Sequence, residues 1–186
     1  MPNGVLTLLD EATTRHIQAL WQEITALLGK HPEPNAPFPH FTYHGADRYD
    51  ITALNHAMAA LAMEIAPFTV TTSGLGLFTI PMPVLYIPVV RSPRLTALHE
   101  RVWQIADKYA HEASPYYQPT HWMPHITLAH SGIERSDLPK LISLLSERRF
   151  TWEIEVTNFA ITDTKQDQPH QIPQYTLSLC ANGACE

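Results

Sequence analysis

The chain has 186 residues, of which 45% are hydrophobic and 16% charged. That is enough apolar material to bury a core, and it excludes a disordered polymer. A formal charge of −6 excludes a protein that grips long nucleic acid through its phosphates, which takes a basic stripe. No apolar run approaches bilayer-spanning length.

In chain order, Val5 to Leu9 reads as a strand. Asp10 caps a helix whose stripe is Ile17, Leu20, Trp21, Ile24, Leu27 and Leu28, and Gly29 ends it. The prolines at 32, 34, 37 and 39 then hold the backbone extended up to His40. After a strand from His40, Asp50 opens a helix with Leu54, Met58, Leu61 and Ile65 on one side, and Phe68 to Phe78 is β-rich. The order then repeats. Val84 to Val90 is a strand whose Pro88 suggests an edge or a bulge. Ser92-Pro93 starts a helix with Leu98, Val102, Ile105 and Tyr109. A proline-bearing linker leads to a strand at His125, Ser136 caps a helix through Leu145, Phe150 to Thr162 is β-rich, and Gln174 to Cys180 is a last strand. The reading is one α+β domain over 1–186, built of two β-α-β-α-β units at about 1–80 and 81–180.

Each unit carries Pro-His-x-Thr on the strand after its first helix: Pro39-His40-Phe41-Thr42 and Pro124-His125-Ile126-Thr127. With 11 histidines in the chain, about one His-x-Thr arises by chance, and a preceding proline makes even one improbable. Both His-x-Thr in the sequence have the proline. Side chains alternate along a strand, so His and Thr two apart share a face. Two such strands on one cleft present two groups that titrate near neutrality and two neutral hydroxyl donors, the equipment for moving protons around a phosphate.

The paired motifs resemble those of the two-histidine phosphoesterase superfamily, which includes cyclic nucleotide phosphodiesterases and 2′-5′ RNA ligases. The resemblance spans the whole chain in element order, with letter-level similarity at 39–45 and 124–130. It implies a bilobal α+β fold, a cleft between two antiparallel sheets with helices outside, and no metal or other cofactor. By position, His40 and His125 match the catalytic histidines, and Thr42 and Thr127 the phosphate-binding hydroxyls. His130 stands where many ligase-like members carry arginine.

His40 is assigned as general base and His125 as general acid, an order that the pseudo-symmetry leaves open. His44, sharing the strand face of His40 and Thr42, is expected to extend the phosphate site or sit at the cleft mouth. Tyr86, Phe78, Trp122, Tyr116 and Tyr117 are candidates for a base-stacking wall. His31, His111 and His121 read as solvated loop residues. No His-x-x-x-His or Glu-x-x-His pair falls on a helix face, so no metal site is expected. The expected activity is hydrolysis of a 2′,3′-cyclic or related ribose phosphate. A ligase-like enzyme on RNA ends and a non-catalytic binder of a phosphorylated ligand are the alternatives. Cys180 and Cys185 read as free thiols of a reducing compartment. With no secretory leader evident, a cytoplasmic monomer acting on small nucleotides, away from membranes, is expected.

Overall fold

The computed structural model of the chain describes residues 3–32, 37–163 and 172–180. It is α+β. Strand β1 (Asn3–Leu8) leads to helix α1 (Glu11–Leu28), β2 (His40–Tyr49), α2 (Ile51–Ala62), β3 (Phe68–Thr71) and β4 (Gly76–Phe78). Then come β5 (Val84–Pro88), α3 (Pro93–Ala106), β6 (Ala110–Ala113), β7 (His125–Ala129), α4 (Leu138–Ser146), β8 (Glu153–Val156), β9 (Asn158–Asp163) and β10 (Ile172–Ser178). The helix signals act as read at three starts: Asp10, Asp50 and Ser92 each accept a backbone N–H of the first turn, and Gly29 closes α1 at φ 65°. The fourth start differs. Glu134 and Asp137 form a capping box around a short 3₁₀ turn, so α4 begins at Leu138 and Ser136 is no cap. Tyr109 falls in a 3₁₀ turn beyond α3, and the linker holds the additional strand β6.

One layer is an antiparallel sheet in the order β10-β9-β1-β2-β6. The other contains β4-β5-β7, with the β3-β8 ribbon joined to it by a bridge between Thr72 and Val89. Each half thus supplies a first strand and a motif strand, β1 with β2 and β5 with β7. The third strands are exchanged: β1 takes β9 from the second half, while β5 takes β4 from the first. Helices cross over as well, α3 packing on β2 and α1 on β7. Pro88 is therefore neither on an edge nor in a bulge; β5 is a middle strand and Pro88 its last residue, opposite His125.

Both motif strands carry a bulge at the same place. On β2, Thr42 pairs with Leu6 and His44 with Val5, leaving Tyr43 surplus; on β7, Thr127 pairs with Tyr86 and Ala129 with Leu85, leaving Leu128 surplus. One extra residue reverses the alternation of everything after it. His44 and Ala129 consequently turn into the core, each 0% exposed, and Gly45 and His130 turn back to the side of the histidine and threonine.

This corrects His44. Its Nδ1 shares a 2.6 Å hydrogen bond with the Tyr49 hydroxyl, its ring lies 4.4 Å from that of Trp103 on α3, and its Nε2 is buried 3.8 Å from Asp107. Cys180 is corrected too: it is buried and disulfide-bonded, while Cys185 lies outside the described residues. Among the described residues no helix is long and apolar enough to cross a membrane.

His99, on α3, is also fully buried, its Nε2–H shared between the carbonyls of Tyr43 and Tyr117. Burial pushes both His44 and His99 down to about 4. The unfolded chain takes up these protons near 6.5, the folded chain near 4. Their stabilising contribution is thus complete above pH 6.5 and is lost as pH falls toward 4, with a limiting slope of about 1.4 kcal/mol per pH unit for each group. Urea-unfolding midpoints at pH 7, 6 and 5 are expected to fall steadily. A flat series would show that neither imidazole resists its proton.

Candidate active site

β2 and β7 lie beside each other, with His40 near enough to His125 for the two rings to interact, and the local architecture of their motifs matches in detail. In each, the proline carbonyl accepts the N–H of the residue just after the adjacent strand, Leu9 to Pro39 at 3.3 Å and Val89 to Pro124 at 2.9 Å. In each, the histidine Nδ1 bonds the carbonyl two residues back, His40 to Phe38 at 2.9 Å and His125 to Met123 at 2.7 Å. A carbonyl only accepts, so Nδ1 carries the proton. That fixes the tautomer and leaves Nε2 as the working nitrogen of both rings.

The threonines are held from behind. Trp122 Nε1 donates to the Thr42 carbonyl at 2.8 Å, and Trp21 Nε1 on α1 donates to the Thr127 carbonyl at 3.2 Å. Each indole thus satisfies a motif-strand carbonyl left over by the sheet, as a buried or half-buried edge requires. Trp122 is only 1% exposed, stacked on His99 at 3.8 Å with 5° between the planes, and its own carbonyl accepts from Arg91. The expectation that Trp122 touches substrate is therefore corrected: its ring is core, and its N–H braces Thr42. Trp21 sits on an ordinary amphipathic stripe, which gives no sign of this bond.

A cavity of about 400 Å³ opens beside the second motif. His125, Thr127 and His130 supply its polar edge, together with His121, which is exposed but not merely a loop residue. Phe78, Ile80, Met82, Tyr116, Tyr117 and Met123 form its apolar side. Ile80 is 78% and Tyr116 75% exposed, an apolar rim of the kind that receives a ligand. Tyr86 is corrected: at 5% exposure it packs against Phe78 and His125, and its ring covers Gly76. It shapes the wall from behind.

Burial governs the electrostatics. His40 is pushed down to about 4 by desolvation, with the Phe38 carbonyl opposing and His125 adding to the fall. His125 is also lowered, by desolvation and by His130, against the Met123 carbonyl. His130 is itself lowered by burial, its Nδ1 within 3.0 Å of the Ser131 hydroxyl. The rings thus influence one another, and the resting site holds them neutral at pH 7. Among the described residues no cluster of His, Cys, Asp or Glu is arranged to hold a metal ion. The nearby cations are spent elsewhere: Lys30 pairs with Asp137, Arg48 with Asp47, and Arg91 and Arg94 with backbone carbonyls. Among the described residues, no Lys or Arg lines the cavity.

The family model of the 2′-5′ RNA ligase superfamily matches residues 13–168. The chain belongs to this superfamily. Among solved structures it is similar to TT0787 of Thermus thermophilus, with 19% identity and a TM-score of 0.68 over 98% of this chain and 100% of that one. A structure described as a phosphoesterase follows, with 18% identity and a TM-score of 0.60 over 97% and 99%. LigT of E. coli, solved with NADP+ and with 3′-AMP, shows 18% identity and a TM-score of 0.56, over 96% of this chain and 98% or 99% of LigT. At these identities the likeness is one of fold. No curated protein sequence matches the chain.

Proposed function

We propose that this 2′-5′ RNA ligase superfamily member is a cyclic phosphodiesterase. It hydrolyses a 2′,3′-cyclic or related ribose phosphate by paired histidine acid-base catalysis, without a metal. The observation that carries this reading is the pair of imidazoles, each anchored through Nδ1 to a carbonyl and each beside a threonine, on the facing strands β2 and β7. His40 Nε2 takes a proton from water as it attacks phosphorus. His125, protonated in the reactive state, gives its Nε2 proton to the departing ribose oxygen. Thr42 and Thr127 donate to the non-bridging oxygens as negative charge gathers there. Their neutral hydroxyls stabilise that charge without clamping the ground-state anion. The apolar wall of Phe78, Ile80, Met82 and Met123 takes the base or ribose; LigT of E. coli, of related fold, is solved with the nucleotides 3′-AMP and NADP+. We read residues 1–186 as a single bilobal, monomeric domain.

A second reading, a ligase-like enzyme on RNA ends, runs the same dyad in either direction and is favoured by the family itself. The formal charge of −6 and the lack of Lys and Arg among the described residues that line the cavity weigh against it, because RNA tracking needs cations aligned with successive phosphates. One set of assays separates them: 2′,3′-cyclic mononucleotides, ADP-ribose cyclic phosphate and 2′-5′-linked oligonucleotides, with and without chelator. A series of lengthening oligoribonucleotides with the same cyclic end, at two salt concentrations, completes it. Mononucleotide-sized cyclic phosphates are expected to turn over unaffected by chelation, with little gain in kcat/KM on lengthening. A large, salt-sensitive gain with length would move the assignment to RNA ends, and activity restored only by a divalent ion would end the metal-free mechanism.

A further inference from the structure

The cavity beside the second motif has its imidazoles in two places. His125 stands on β7 with Thr127, and His130 just after that strand. His121 stands apart from them, on the linker between β6 and β7. The other titratable side chains of the lining are Tyr116 and Tyr117. Among the described residues the lining has no Asp, Glu, Lys or Arg.

That linker is well braced. The Ser114 N–H bonds the Gly45 carbonyl at 2.8 Å, and the Tyr117 ring rests on the same glycine, where a Cβ would come within 2.6 Å of its Cε2. The Tyr117 carbonyl accepts from the buried His99 at 3.0 Å. The Gln118 carbonyl then accepts the N–H groups of both His121 and Trp122 at 2.8 Å. Arg91 clasps this turn by donating to the carbonyls of Pro119 and Trp122, and it does not line the cavity. Trp122 is the anchor, buried and stacked on His99, while its neighbours His121 and Met123 both line the cavity. His121 is exposed, with its Nδ1 3.3 Å from the Thr120 hydroxyl, and its Nε2 has no partner among the described residues. An imidazole on so fixed a stretch of backbone is placed to meet a ligand group.

We propose that His121 recognises the end of the substrate remote from the reacting phosphate, and that it selects substrates by the charge there. The inference rests on the proposed hydrolysis of a ribose cyclic phosphate. With the phosphate at His125 and Thr127 and the base on the apolar wall beside Met123, the polar group left to satisfy is the 5′ substituent. Histidine is the side chain that changes from neutral to cationic near neutrality. Neutral, His121 hydrogen-bonds a free 5′-hydroxyl. An anionic 5′ group then meets no fixed positive charge among the described lining residues, and gains an ion pair only when His121 is protonated. His125 and His130 also titrate, but beside the phosphate that every such substrate carries. The preferred substrate at neutral pH is therefore a nucleoside cyclic phosphate with an uncharged 5′ end.

The test is a ratio of two pH profiles. Initial rates are measured from pH 5.5 to 8 for adenosine 2′,3′-cyclic phosphate and for the same compound sulfated at its 5′ oxygen. The sulfate adds one negative charge that does not titrate. Dividing the second kcat/KM by the first cancels the dyad, the common phosphate and the folded fraction. The ratio is expected to lie below one at pH 8 and to rise about fivefold toward acid, the scale of an exposed ion pair. His121→Gln should hold it low at every pH, His121→Arg should hold it high, and His130→Gln should leave the rise in place. The side chain is exposed, so melting temperatures should not move. Association constants of 3′-AMP and its 5′-sulfate, divided in the same way, repeat the measurement without turnover. A rise in that binding ratio while neither cyclic phosphate is hydrolysed would uphold His121 and reject the phosphodiesterase. A flat ratio in the unsubstituted chain, or a rise that survives His121→Gln, would overturn the assignment.

Discussion

Replacing His40 or His125 by alanine is expected to remove about 10²–10⁴ of the turnover of the best cyclic phosphate in each case, or roughly 3–5 kcal/mol of barrier. Each ring is half-buried and tied to the backbone by a single bond from Nδ1 to a carbonyl. The folded chain therefore tolerates the loss, and circular dichroism should be unchanged. The double variant should fall little below either single one, because a base without its acid has no complete path for the proton. Thr42→Ala and Thr127→Ala are expected to cost less, about 1.5–3 kcal/mol each, the scale of a hydrogen bond to a charged group. Near wild-type activity in either histidine variant would break the dyad assignment.

The second large effect is in pH. Turnover needs one imidazole charged and the other neutral, so kcat/KM is bell-shaped, with constants that belong to the pair. Burial sets His40 near 4 and His125 below 6.5, which puts both limbs on the acid side of neutrality. Above the upper constant the protonated acid is lost tenfold per unit, so kcat/KM should fall about a hundredfold between pH 6.5 and 8.5. The cyclic diester keeps its single negative charge throughout, so the profile reports the enzyme. His130 helps hold His125 down, and His130→Gln should move the alkaline limb upward. A maximum above pH 7.5 would contradict the burial of the dyad. Initial rates from pH 4.5 to 9, with stability followed in parallel, make the measurement.

What was legible in the sequence divides along physical lines. Caps such as Asp10 and Ser92 and the repeated Pro-His-x-Thr are local signals, and each acts where it stands. The strand rule that joined His44 to His40 and Thr42 holds only in a regular ladder. A bulge at Tyr43 breaks it, and nothing in the letters marks that residue as surplus. Trp122 and Tyr86 read as candidates for a base-stacking wall, yet tertiary packing spends one on a backbone carbonyl and the other on the back of His125. The exchange of β9 and β4 between halves is a property of chain crossing, invisible to a repeat read in linear order. Gly45 carries no signal of its own in the letters after the motif. Its meaning depends on Tyr117, a residue 72 positions away in the chain.

The twin bulges have a consequence for how such an enzyme diversifies. A surplus residue after each threonine uncouples the next cleft-facing position from the histidine and threonine before it. Positions 45 and 130 are thus separate addresses, open to exchange while the proton-transfer pairs stay constant. At 130 the address is written by its own side chain. At 45 it is occupied from outside, so innovation there has to be introduced at position 117, on the linker. Mutational libraries directed at 117 and 130 therefore sample substrate preference at two points outside the histidine and threonine pairs themselves.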